Sequence, residues 1–538
     1  MTAARAFRIA CVGAVCAALT GCGKSRKGDH AQSDVDQTET AQPTQSGPKP
    51  GGHLRLPSNE PRFLNPVIEN RFNRANILLF EGLVGLSTRL EPVPRLAESW
   101  ELSGDGKTLT FKLRRDVKFH DGRPFSAKDV AFTYQSIKDT ESSIWRTYFQ
   151  TVDTVTTPDD HTVAVKYSRP YAPALIAWTL GIIPEHIYGS RGGGGDLTES
   201  AGNRQPVGTG PYKFARWEEG KLILLMANDD YWNSRPHIDR IELILDVDDR
   251  LESLKNGDLD FAYIPDIGAW SNEAQTLEFI EKFEVNTVVG SVFRLVAWNT
   301  QRAPFSDPKV RLAITHTLNR GRVIDDVLLG QARALSAPFF PNMPGADPSI
   351  APHAFDISRA VALLDEAGFP SRQGQRFSIT LITPTSQRNP VNQEMFAIFR
   401  RDLSGIGIEL KVEFLDLEAF LTRVKAGQFD AAFFGWLPDI PDPDPSVLLH
   451  STSNTNYARY KVPEVDELLE DAVTTSNPDE RKAMYHKLHA RLHEDLPYTV
   501  LYAPFSHYAW SRKLRGVNPD DIGSQPRFPG IARWWHTK

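Results

Sequence analysis

Apolar and polar residues alternate through "LTFKLRRDVKF" (109–119), the pattern of a half-buried strand that ends at the Asp121-Gly122 turn pair. The spacing turns helical in "SAKDVAFTYQSI", with Ser126 placed as N-cap and Asp129 at N3. "FSDPKVRLAITHTLNR" predicts another helix, capped by Asp307 with Pro308 at its first position. "NPDERKAMYHKLHARLHEDLP" repeats the device with Asn477 and Pro478 and must stop before Pro497. The longest ordered pattern covers 377–436. There "FSITLITP" predicts a strand, "VNQEMFAIFRRDL" a helix, and "IELKVEFL" an alternating strand. "LEAFLTRVKAG" follows as a helix closed by Gly427, and "FDAAFFGW" as a buried strand. A β-α-β-α-β order predicts parallel strands with right-handed crossovers, in an α/β sheet whose ligands bind beyond the strand carboxyl ends. Two segments occupy such ends: "TPTSQRNP", which carries Arg388, and "LPDIPDPDP", which carries Asp439 three residues after Trp436.

The amino end follows no such pattern. A short basic start (Arg5, Arg8) precedes the apolar run Ile9 to Leu19, and a polar tail follows. That is the layout of a secretory signal peptide over residues 1–21, with an apolar run too short to span a bilayer. Ala18 to Ser25 also fits a relaxed phosphate loop, but no strand precedes it and no helix follows, so a nucleotide has no cradle. Leu19-Thr20-Gly21-Cys22 instead resembles a bacterial lipobox, which makes Cys22 the lipidated first residue of the mature chain. Residues 23–50 hold Val35 as their one large aliphatic residue and no aromatic, so 22–51 is expected to be a disordered tether. Its ends would lie roughly 30 Å apart.

Bulk composition narrows the classes. From Cys22 to Lys538 is 517 residues, more than one core holds, which predicts two or three domains. All three cysteines (Cys11, Cys16, Cys22) fall in the first 22 residues, which excludes disulfides and thiolate metal sites from the rest. The formal charge is −6, or −8 without residues 1–21, and no later apolar run reaches transmembrane length. No nucleic-acid partner is expected.

Longer stretches carry a resemblance. "NEPRFLNP", "LAESWELSGDGKTLTFKLRRDVKFHDGRPFSAKDVAFTY", "GTGPYKF", "NDDYWNSRPHIDRIEL", "APFSDPKVRLAITHTLNR" and "FDAAFFGWLPDIPDPDP" resemble the peptide-binding family of periplasmic solute-binding proteins of ABC importers, over roughly 52–510. The resemblance implies a two-lobe periplasmic-binding-protein clamp with an additional small domain inserted in the first lobe. Lobe I would run over 52–300 with the added domain near 95–205, lobe II over 301–510, and 511–538 would return to lobe I. Crossings between lobes are expected near 298–304 and 505–512. It further implies that Asp439 takes a peptide's α-ammonium and Arg388 its α-carboxylate. The Asp439 loop departs from the family's pattern in carrying four prolines, and the Arg388 loop looks shorter.

Each candidate has a plainer alternative. Asp439 also fits a turn, and Arg388 a solvated loop. Trp436, Trp298 and Asn299 fit ligand stacking or core filling equally, while Asn59 and Glu60 are cleft candidates after the opening strand. His486, His489 and His493 share one helical face without an obvious fourth ligand, so no metal or cofactor is expected. The expected function is a monomeric, membrane-anchored extracytoplasmic receptor that hands short peptides to an ABC permease. A nickel complex, a sugar or an opine is the alternative cargo. An exported hydrolase is the rival class, without a Gly-x-Ser-x-Gly or His-Glu-x-x-His motif to support it.

Overall fold

The computed structural model describes residues 48–69, 73–87, 91–189, 197–341, 343–437, 442–519 and 530–537. The chain divides into two units, Met1–Gly47 and Pro48–Lys538, and every described residue belongs to the second. The signal peptide, Cys22, nearly all of the tether, and Asp439 lie outside the described residues.

Helices form where their caps lie. Ala127–Asp139 carries the Ser126/Asp129 capping box. Pro308–Thr317 starts after Asp307, whose side chain accepts the Lys309 N–H. Pro478–Asp495 starts after Asn477, which accepts from the N–H groups of Asp479 and Glu480. The alternating run at 109–119 is a shorter strand than its pattern, Thr108–Leu113. Arg114 then leaves the ladder, donating its N–H to Leu96 C=O and its guanidinium to Arg95 C=O.

In the first lobe His53–Ser58 pairs in parallel with Arg240–Leu245, and the sheet continues antiparallel through Leu222–Ala227 to Tyr212–Glu218. A second, antiparallel sheet joins Ala97–Leu102, Thr108–Leu113, Thr162–Tyr167 and Val152–Asp159. One core unites them, including Leu56, Phe111, Trp178 and Leu243, and the C-terminal Leu514, Ile531 and Trp534 are buried in it too. Two of the resembling stretches meet at a buried carboxylate. Glu81 accepts from Tyr231 Oη at 2.6 Å, Trp232 Nε1 at 2.9 Å and Thr209 Oγ1 at 3.3 Å. Beside it Gly208 passes so near Leu79 that a Cβ there would lie 1.9 Å from the Leu79 carbonyl oxygen. "GTGPYKF" and "NDDYW" thus serve this packing.

The β-α-β-α-β unit forms as its pattern dictates. Phe377–Pro384 pairs in parallel with Ile408–Leu415 on one side and Ala431–Trp436 on the other. Phe293–Trp298 lies antiparallel between Ala431–Trp436 and the 14-residue strand Tyr498–Ser511. One face buries Val296, Trp298, Leu381 and Phe433, the other Leu295, Ile382, Ala432 and Tyr485.

Tyr498–Ser511 belongs to both lobes. Its first half pairs with Phe293–Trp298 and Ala332–Ala334, its second with Phe261–Ile264 and Phe283–Val289. Core membership changes with the pairing: Tyr502 joins the second lobe's core, Tyr508 and Trp510 the first's. The chain crosses again at 290–292, between Phe283–Val289 and Phe293–Trp298. There Gly290 donates its N–H to Pro504 C=O at 2.9 Å, and a Cβ on it would lie 2.6 Å from that oxygen. The crossings thus sit at 290–292, N-terminal of the expected 298–304, and at 504–505, where the expected 505–512 begins. The reason is that "FRLVAW" is a complete buried strand of the second sheet instead of a linker.

Candidate functional site between the strand ends

Strand register decides which sheet ends face the crossings. Phe293 pairs with Trp436, so the crossing at 290–292 adjoins the carboxyl end of Ala431–Trp436. Phe377–Pro384 runs parallel to it and ends on the same side. On the first lobe, Ile264 pairs with His507, so Phe261–Ile264 ends beside the crossing at 504–505. Both lobes therefore turn strand carboxyl ends toward the crossings, where open α/β sheets hold their ligands.

Trp436 ends its strand half-buried against the second lobe's core, and Leu437 beyond it is 51% exposed. Asp439 follows, outside the described residues. The chain is pinned again at Asp442, whose two carboxylate oxygens accept from Arg481 Nη1 at 2.9 Å and Nη2 at 2.7 Å. Arg481 also donates to Ala472 C=O and to Tyr485 Oη, both at 2.8 Å. The chain is thus held at Trp436 and again at Asp442. Asp444 accepts from the Ser446 backbone, and its pKa is pushed up to about 6 by burial and by the Asp442 carboxylate. The first lobe reaches this cluster: the Ala172 N–H donates to Val473 C=O at 2.7 Å, and Tyr171 stands in the field of Asp442 and Asp444.

Arg388 follows the short turn Thr385–Gln387 and is exposed, with its guanidinium 4.5 Å from the centre of the Phe414 ring. Phe414 lies on the outer strand, two strand spacings or about 10 Å from Ala431–Trp436. Arg388 and Leu437, the last described residue before Asp439, therefore lie beyond the same sheet end.

The remaining candidates fall elsewhere. Asn59 is exposed at the carboxyl end of His53–Ser58. Glu60 is engaged, accepting from Trp217 Nε1 at 2.7 Å and the Gly220 N–H at 2.8 Å. Trp298 is 2% exposed, stacked on Phe305, and donates to Thr499 Oγ1 at 2.9 Å. Asn299 donates to the carbonyls of Gly427 and Phe429, both at 3.0 Å. The structure places both in the packing of the second lobe. His489 bonds Ser336 Oγ and the Asp347 N–H, and His493 bonds Ala351 C=O and stacks on His353. Among the described residues no group of three or more His, Cys, Asp or Glu side chains is set to hold a metal. Sequence reasoning missed the Asp442–Arg481 pair. The Asp-Pro repeat was the one local signal, and it reads as a turn.

The sequence model of "Bacterial extracellular solute-binding proteins, family 5 Middle" matches residues 91–458. Oligopeptide-binding protein AppA of Bacillus subtilis is 30% identical over 519 residues, covering 91% of this chain and 93% of that protein. Its solved complex with a nonapeptide matches with a TM-score of 0.73 over 91% of this chain and 100% of that one, at 28% identity. Di/tripeptide-binding protein 2 of Pseudomonas aeruginosa is 30% identical over 472 residues, 80% of this chain and 85% of that protein. The periplasmic binding protein DppA of Helicobacter pylori, solved with the peptide STSA, matches with a TM-score of 0.73 at 27% identity, over 91% and 99% of the two chains.

Proposed function

Since the chain belongs to the bacterial extracellular solute-binding proteins of family 5, we propose that it captures short peptides between its lobes and delivers them to the permease of an ABC importer. The observation that carries this is the convergence of strand carboxyl ends from both lobes on the two crossings, with Arg388 beyond one of those ends. The relatives named for oligopeptides and for di- and tripeptides support the cargo class.

A free peptide is charged at both ends, and burying either charge unpaired costs several kcal/mol. Asp439 supplies the carboxylate for the ammonium. Arg388 supplies a guanidinium fork that takes a carboxylate through two parallel bonds. Trp436 lies against the peptide backbone, and Asn59 forms the rim on the first lobe. Trp298 acts from behind, holding its strand to Thr499. Lobe I spans 52–290 with the added domain near 95–205, lobe II spans 291–504, and the chain from 505 returns to lobe I. The protein is exported, anchored through lipidated Cys22 on the tether 22–51, and works as a monomer without a resident cofactor.

Mass spectrometry of the solute released from purified protein tests the cargo. Short peptides are expected. A nickel complex, sugar or opine would replace the peptide assignment, and turnover of the added solute would replace the receptor assignment.

A further inference from the structure

We propose that Arg294, together with Arg250, forms an acid-accepting position at the first crossing, so that the preferred peptide carries an acidic side chain. This rests on the peptide function and adds the class of peptide. Arg294 is the second residue of Phe293–Trp298 and is half-buried, paired with Gly435 on one side and Tyr502 on the other. A Cβ at position 435 would lie 2.2 Å from Arg294 Nη1, so the absent side chain of Gly435 makes the room the guanidinium occupies. Trp436 is the next residue, which puts Arg294 at the carboxyl end where the peptide is held.

The first lobe brings a second cation toward the same crossing. Arg250 opens the helix Arg250–Lys255, and its guanidinium lies 6.0 Å from the Tyr263 ring centre. The fields of both arginines reach Tyr263. Among the described residues neither guanidinium has a hydrogen bond or an ion pair, and Asp246 is the one acid whose field reaches Arg250. A half-buried guanidinium without protein acceptors keeps its donors open, and a carboxylate matches its geometry.

Position separates this acid from the peptide's own terminus. Phe293–Trp298 and the outer strand that carries Phe414, beneath Arg388, are three spacings apart, about 14 Å. That span separates an α-carboxylate at Arg388 from an acidic side chain nearer the amino end.

The test titrates ligand-stripped protein by calorimetry with Glu-Ala and Gln-Ala, and with Glu-Ala-Ala and Gln-Ala-Ala. Wild type should favour the Glu peptides by about 30-fold. Arg294→Gln should bring the ratio near one, whereas Arg388→Gln should weaken both members of each pair and keep the ratio. Gly435→Ala, which keeps the charge but displaces the guanidinium, should also lower the ratio. This variant serves if Arg294→Gln fails to fold. Equal binding of Glu and Gln peptides by wild type, or a ratio untouched by Arg294→Gln, overturns the proposal and leaves the peptide function standing. If no peptide binds wild type, the peptide function falls, and citrate reads the site alone. A citrate-dependent rise in Tm that Arg294→Gln abolishes supports the anion site, and equal rises in both proteins remove it.

Discussion

Replacing Asp442 with alanine removes the acceptor of both ends of the Arg481 guanidinium, bonded at 2.7 and 2.9 Å. The site is nearly dry, with side-chain exposures of 2% for Asp442 and 13% for Arg481. Breaking a buried pair from one side costs about 3–5 kcal/mol, because the other charge is stranded. Arg481 would keep Ala472 C=O and Tyr485 Oη, which sets the expected loss near the lower bound, about 3 kcal/mol. With about 2.1 cal/mol/K of unfolding entropy per residue, a lobe of roughly 210 residues has about 0.45 kcal/mol/K. Tm should then fall by about 7 °C if lobe II unfolds alone, or about 3 °C if roughly 490 residues unfold together. Differential scanning calorimetry measures both the shift and the number of transitions. Because Asp442 lies three residues after Asp439 in the chain, the same variant should also bind peptide more weakly. Adding Arg481→Met should recover part of the stability, since no charge is then stranded, without restoring affinity. A Tm within about 1 °C of wild type would refute the reasoning.

Cys22→Ser should release the protein from membranes while leaving its fold intact, and a variant that still sediments with membranes after a high-salt wash contradicts the lipid anchor. Few crossings join the lobes, so small-angle scattering should show compaction when peptide is added to stripped protein. An unchanged radius at confirmed occupancy contradicts the clamp. Burial holds His120, His353, His489 and His507 neutral, with pKa values lowered to about 4. Their unfolded value is about 6.5, so their contribution to stability is present above that pH and is lost as pH falls through 4. Asp444, raised to about 6, works in the opposite sense, adding stability as pH falls below 6. Burial also lowers His53 and His493 and raises Glu81 and Asp129, so six histidines stand against three carboxyls, and Tm should fall between pH 6.5 and 4. A Tm that rises across that interval contradicts this balance.

Local rules reach the elements that local chemistry builds. The caps at Ser126, Asp307 and Asn477 and the β-α-β-α-β spacing over 377–436 are complete within short windows, and each forms as read. Tyr498–Ser511 is different. Its change of partners near Pro504 depends on Gly290 more than 200 residues earlier, and the proline alone does not say which strands lie on either side. The same holds for Phe293–Trp298, whose apolar run is equally a linker or a strand until both neighbours are known. The position of Arg388 after a strand end was legible because the strand visibly ends before it. The room around Arg294 was not, because it is made by Gly435 on another strand.

The most direct test of the central claim titrates one peptide and its N-acetylated and C-amidated forms into wild type, Asp439→Ala and Arg388→Ala. Wild type should bind the free peptide about 30-fold or more tighter than either blocked form. Asp439→Ala should erase the preference for a free amine, and Arg388→Ala the preference for a free carboxylate. Blocked peptides binding wild type as tightly as the free one would contradict the account.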